Sequence, residues 1–199
     1  MDFVSPFPTS QGYDYLWVII CRLTSMVHLV PVNTTIKASE LALIYVKEIV
    51  RLHGLPDSIV SDRDSKFTSK FWRETHRMLG TKLMMSTVFH PQTDGASERA
   101  NRSVGQILRT VIRPDQSDWV EKLPMVKLAL NSNISSSTGF APFKLNYGFM
   151  PTLIGGITPI EKAKPGVKNF INLALGNLKK AHDAIIESCV KQTHHANHH

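Results

Sequence analysis

The sequence predicts an α/β fold: a mixed sheet with helices on both faces, followed by a long helix at the C-terminus. Three observations predict it. Two runs near the start, residues 13–22 and 26–32, are rich in aromatic and β-branched residues and read as paired strands. A stretch with helical periodicity, 36–52, separates them from a short apolar run that ends at Asp62. A further helix-like stretch and another short strand follow, and a helix between parallel strands is the βαβ pattern.

In order, Asp2-Phe3-Val4 forms an extended first piece, broken by Pro6 and Pro8. Together with residues 13–22 and 26–32, joined by a turn at Thr24-Ser25, it suggests an antiparallel three-stranded meander. In 36–52, Leu41, Tyr45, Ile49 and Leu52 form a stripe that Ala42, Val46 and Val50 widen; Gly54 and Pro56 stop the helix. The fourth strand ends at Asp62, and a polar loop, 63–66, follows. Thr68 or Ser69 caps a helix carrying Phe71, Trp72, Met78 and Leu79, which Gly80 ends; residues 82–86 make the fifth strand. Residues 87–96 hold turn formers and read as an irregular loop before a helix from Ser97 to Ile112. Residues 119–131 and a short turn at 141–147, closed by Gly148, complete a core expected to span 1–150. A linker with Pro151, Gly155, Gly156, Pro159, Pro165 and Gly166 is expected at 151–166. Residues 167–199 read as a terminal helix and tail, with Ile171, Ala174, Leu178, Ala181 and Ile185 as a narrow packing seam. Trp17, Trp72 and Trp119 sit in apolar patterns and are expected in the core. The histidines from His194 to His199 read as a frayed end and not as a metal site.

At 199 residues and 42% hydrophobic content, the chain can bury one domain with an appendage. No apolar run is long enough for a transmembrane helix, and the first residues lack the layout of a secretory signal, so no membrane association or secretion is expected. Two cysteines, Cys21 and Cys189, cannot supply a four-ligand zinc site and suit a reducing compartment. A formal charge of +7 makes nucleic acid the expected class of partner.

The chemistry concentrates between Asp62 and Glu98, 35 residues apart in the intervening sequence. At 100° per residue, Ala100, Val104, Ile107, Leu108 and Val111 share one side of the Glu98 helix, while Glu98, Asn101, Arg102, Gly105, Arg109 and Arg113 share the other. A solvated face with a Glu98–Arg102 pair, contributing about 0.2–0.5 kcal/mol, is the plainer reading. Asp62 closes a strand, and the carboxyl ends of strands in α/β sheets are where ligands bind; Asp64 rivals it by position. Hard carboxylate oxygens suit Mg²⁺ or Mn²⁺, and two such ions can clamp the attacking and leaving oxygens of a phosphoryl displacement.

Three segments carry a resemblance. Asp2-Phe3-Val4, then Ile59-Val-Ser-Asp-Arg-Asp-Ser-Lys-Phe67, then His90-Pro-Gln-Thr-Asp-Gly-Ala-Ser-Glu-Arg-Ala-Asn-Arg102 together resemble the catalytic core of a retroviral-type integrase, most closely that of gypsy-type LTR retrotransposons. The segments 51–56 and 137–143 and the pair Tyr147-Gly148 are similar to the same family, so the likeness spans residues 2 to about 150. The resemblance implies an RNase H-like fold with a five-stranded sheet and Asp2 on its first, central strand. It implies that Asp2, Asp62 and Glu98, and not Asp64, are catalytic and metal-binding acids holding two Mg²⁺ or Mn²⁺ ions. It implies 3′-end processing of retrotransposon DNA and strand transfer into target DNA, with Gln92, Arg99, Asn101, Arg102 and Arg109 on the DNA side. It also implies a homo-oligomer bridging two DNA ends, at work on chromosomal DNA in the nucleus and otherwise carried in a cytoplasmic particle. Cys21 stands where the family pattern usually has Asp, and Ser135 where it often has His. The family's upstream zinc-binding module and downstream DNA-binding domain do not occur, so a fragment of a longer polyprotein or a decayed copy is expected. Two other functions fit the same residues: a catalytically inactive nucleic-acid-binding remnant, and a nuclease cutting RNA in hybrids.

Overall fold

The computed structural model describes residues 1–4, 6–85, 91–152 and 165–196, with side chains described for all of these except 91–100 and 188–196. The expected linker therefore lies largely outside the described residues, as do residues 87–90 of the expected loop and the side chains of Cys189 and of the terminal histidines. The chain divides into two compact units: Met1–Ile20 with His28–Asn101, and Cys21–Val27 with Arg102–His199.

In the first unit, β1 (Asp2–Val4) pairs antiparallel with β2 (Tyr15–Ile20), and β3 (Val27–Val32) completes a three-stranded sheet in the order β1-β2-β3. Helix α1 (Ala38–Tyr45) continues through a π-helical turn, Val46–Val50, into α2 (Arg51–His53), where Gly54 ends it at φ 76°. Strand β4 (Ser58–Ser61) lies parallel to β5 (Lys82–Met85), with α3 (Ser65–Thr68) and α4 (Lys70–Met78) between them. This is the expected βαβ unit.

The five strands do not make one sheet. They form a three-stranded and a separate two-stranded sheet. The reason lies in the length of β1. Backbone groups of alternate residues face opposite edges of a strand, so a three-residue strand paired with β2 turns only one or two residues toward β4. The bond there from the Met1 ammonium to the Val60 carbonyl at 2.7 Å does not extend into a ladder.

Period-two burial explains the strands. Trp17 and Ile19 of β2 join Val30, Val32, Leu41, Tyr45, Ile59, Phe67 and Trp72 in one core, so α1, α3 and α4 cover one face of the sheet, while Leu16 and Val18 are buried on the other. Ser69 caps α4, its hydroxyl accepting the Trp72 amide at 3.2 Å. The expected loop at 63–66 instead begins α3, because Asp64 caps it: its Oδ1 accepts the Lys66 amide at 2.8 Å.

Helix α5 (Pro91–Val111) starts earlier than expected and absorbs Pro91–Ala96 of the presumed loop. Proline at the first helical position has no amide to leave unsatisfied and its φ is already helical. In the second unit, Val104, Ile107, Leu108 and Val111 of α5 are buried and Arg102, Arg109 and Arg113 exposed, as the periodicity predicts. Helix α6 (Trp119–Ser132) packs on α8 (Pro165–Ala196) and on α7 (Pro142–Tyr147). Of the expected α8 seam, Leu178, Ala181 and Ile185 are buried together with Ala184, while Ile171 and Ala174 are half-buried. All three tryptophans are fully buried.

Candidate active site

Asp2 stands at the start of β1, where the carboxylate is held on two sides. Its Oδ1 accepts the Phe3 amide at 2.8 Å, and its Oδ2 accepts the Asn101 side-chain amide at 2.5 Å. Asn101 lies on α5, three residues beyond Glu98 and so on the same side of the helix. A bond between residues 2 and 101 therefore ties the first strand to the helix that carries Glu98.

Asp62 follows the last residue of β4 and is half-buried. Its Oδ1 accepts the Asp64 amide at 3.2 Å, an Asx turn that shapes the departure from the strand. Asp64 is occupied otherwise: besides capping α3, its carboxylate pairs with the Lys66 ammonium at 3.6 Å. That ammonium lies over the Phe3 and Tyr15 rings, 5.1 and 5.5 Å from their centroids, and Phe3 stacks on both Tyr15 and Phe67. A cation over stacked rings beside an acid is a fixed platform, not a loose surface charge.

Tyr15 reports how the acids are gathered. Burial pushes its phenol above the ordinary tyrosine range, and the negative charges of Asp64, Asp62 and Asp2 push it further. All three carboxylates therefore lie within electrostatic reach of one hydroxyl, although 62 residues of chain span them.

Glu98, Arg99 and Gln92 are placed on α5 by their backbone; their side chains lie outside the described residues. Arg102 and Arg109 are exposed on α5 within the second unit. Among the described residues, no group of three or more His, Cys, Asp or Glu side chains is arranged to hold a metal. The donor chemistry nevertheless fits a hard divalent ion: Asp2 and Asp62 offer carboxylate oxygens, and the Asn101 amide and the Asp64 backbone amide orient them. The sequence places Asn101 on the acid's helix face but leaves its partner unseen. Tyr15 and Lys66 carry no sequence signal for a place at the site beyond their nearness to strand ends.

No family model matches the chain. Over 161 residues, 81% of its length, the chain is 33% identical to the transposon Tf2-3 polyprotein of Schizosaccharomyces pombe, and equally to the Tf2-4 polyprotein of that yeast. Among solved structures it is similar to the HTLV-2 integrase catalytic core domain in complex with magnesium, in a trimeric form (TM-score 0.54, 17% identity, 73% of this chain and 95% of that one). It is similar also to the catalytic core domain of BIV integrase (TM-score 0.53, 19% identity, 74% and 92%).

The chain is a homologue of the Tf2 retrotransposon polyproteins and shares its fold with retroviral integrase catalytic cores. It spans 12% of the length of the polyproteins it matches. A third similar structure, a simian T-cell lymphotropic virus intasome in complex with PP2A regulatory subunit B56 gamma, covers 82% of the chain at TM-score 0.57 and 17% identity. The fold is accordingly RNase H-like α/β, with its strands divided between two sheets.

Proposed function

We propose that this chain is an integrase core that catalyses phosphoryl transfer on DNA: trimming of retrotransposon 3′ ends by water, then attack of the new 3′-hydroxyl on target DNA. The observation that carries the reading is the bond from Asn101 to Asp2, which ties a strand-borne acid to the helix of Glu98. Asp2, Asp62 and Glu98 would hold two Mg²⁺ or Mn²⁺ ions, which supply charge stabilisation for an in-line displacement at phosphorus. The magnesium bound by the HTLV-2 core supports that choice of ion. The chain's own residues set the geometry. Asn101 orients Asp2, the Asx turn orients Asp62, and Lys66 neutralises Asp64 so that a fourth negative charge does not crowd the site. No protein nucleophile is needed, because water or a DNA hydroxyl attacks.

Residues 1–150 act as the catalytic core, with 151–166 as a linker and 167–199 as a helix and tail. The exposed Arg102 and Arg109, with Gln92, Arg99 and Asn101, meet DNA, and the enzyme works as a homo-oligomer on chromosomal DNA in the nucleus. The test is oligonucleotide end-nicking and strand transfer with Mg²⁺ or Mn²⁺, beside Asp62→Asn and Glu98→Gln. Each substitution should lower activity at least 100-fold; activity surviving in either variant ends the assignment. A second reading, an inactive DNA-binding remnant, draws support from the division of β1 and β4 between two sheets. Salt-sensitive DNA binding without divalent-ion binding at Asp2 and Asp62 would single it out.

A further inference from the structure

A cleft at the carboxyl ends of β4 and β5 takes no part in the acid site. It measures about 380 Å³ and is lined by Arg63, Thr68, Arg73, Leu83 and Met85. The strand register builds its wall: Ile59 pairs with Leu83 and Ser61 with Met85, so Leu83 and Met85 point to the same side of β5. The Ser61 hydroxyl donates to the Met85 sulfur at 3.6 Å and steadies that side chain. Arg63 leaves β4 one residue after Asp62. Arg73, in the first turns of α4, donates its Nε to the Thr68 carbonyl at 2.8 Å, which anchors the guanidinium and leaves both Nη groups for another acceptor.

The charge balance of the cleft is the decisive point. Of the acids next to these arginines in sequence, Asp62 accepts the Asp64 amide at 3.2 Å, Asp64 pairs with Lys66 at 3.6 Å and Glu74 pairs with Arg77 at 2.6 Å. Among the described residues, neither Arg63 nor Arg73 has a carboxylate partner. Two uncompensated guanidiniums on one small cleft repel each other until an anion joins them, and their planar forks match the oxygens of a phosphate. In parallel α/β units this edge of the strands is also where ligands bind.

We propose that Arg63 and Arg73 together grip a phosphodiester of the DNA strand, with Leu83 and Met85 as an apolar wall for the adjoining sugar. Naming DNA as the source of the phosphate rests on the integrase reading; the anion site itself rests on the cleft. The site would extend the DNA track from the acid centre along the β4–β5 edge.

The experiment measures binding of the full chain to a duplex oligonucleotide by fluorescence anisotropy across a salt series in EDTA, so that catalysis plays no part. For the Arg63→Gln/Arg73→Gln double variant, affinity should drop about tenfold and the slope of log K against log salt should shrink by about 0.9 for the lost phosphate contact. The Arg63→Lys/Arg73→Lys variant should keep the slope and regain only part of the affinity, since lysine lacks the bidentate fork. Unchanged slope and affinity in the glutamine variant, with an unaltered thermal midpoint, would overturn the proposal. Inorganic phosphate or a mononucleotide binding the wild type as tightly as the duplex would overturn the DNA assignment. An inactive chain that still loses slope in the double variant supports the cleft even as the integrase reading fails, so the two failures are distinguishable.

Discussion

Asn101 is the residue on which the site geometry turns. It was legible in the sequence only as a polar neighbour of Glu98 on one helix face, and its bond to the Asp2 carboxylate is a product of folding. A hydrogen bond to a charged group contributes about 1.5–3 kcal/mol, and groups that orient metal ligands typically alter affinity or activity 10–100-fold when removed. Asn101→Ala should therefore weaken Mn²⁺ binding and strand transfer 10–100-fold. Asn101→Gln, with the same amide on a longer arm, should recover part of both. Calorimetric Mn²⁺ titration checks this, and affinity unchanged in the alanine variant would remove Asn101 from the positioning role. Asp62 and Asp64 make the converse case: sequence position left them rivals, and local hydrogen bonding separates their duties, one acid shaping a turn and the other capping a helix and pairing with Lys66.

At the scale of elements, caps and periodicity were readable because they act over three or four residues. Ser69 is one of two caps the sequence offered, and the structure selects it through the Trp72 amide. Ser69→Ala should cost about 1 kcal/mol, read as a lower urea midpoint at unchanged m-value. Because α4 carries the fully buried Trp72 into the core beneath β4, that loss should appear in global unfolding and not as local fraying alone. The start of α5 shows where local reading gave out. Residues 91–96 hold turn formers, yet Pro91 also suits a helix start, and preferences this evenly balanced are settled by the rest of the chain. Strand pairing failed for a related reason. Each of the five strands was visible by composition, but which edges join depends on how many backbone groups each strand turns to each edge, and β1 has only three residues.

For the molecule as a whole, the buried aromatic core of the first unit links stability to pH. His76 is 1% exposed, packed between Tyr45 and Trp72, and neither ring nitrogen has a hydrogen-bond partner among the described residues. Burial lowers its pKa below the ordinary value of 6.5, and burial also lowers that of His53. The unfolded chain then binds more protons than the folded one at acid pH, so stability is full above 6.5 and falls as pH drops below it. Unfolding midpoints should hold steady between about pH 7 and 8 and decline toward pH 5.5, and His76→Phe should flatten the decline; an unaltered profile in that variant would refute the link. By itself the sequence determined the α/β class, the helices and strands, the buried tryptophans and the acids worth watching, because backbone preference and apolar periodicity act between near neighbours. Only the tertiary structure decided that the strands part into two sheets, that Asn101 reaches Asp2, and that, among the described residues, Arg63 and Arg73 are left without carboxylate partners beside one cleft. Those outcomes depend on which distant side chains the packed core brings within a few ångströms, and no local pattern encodes that distance.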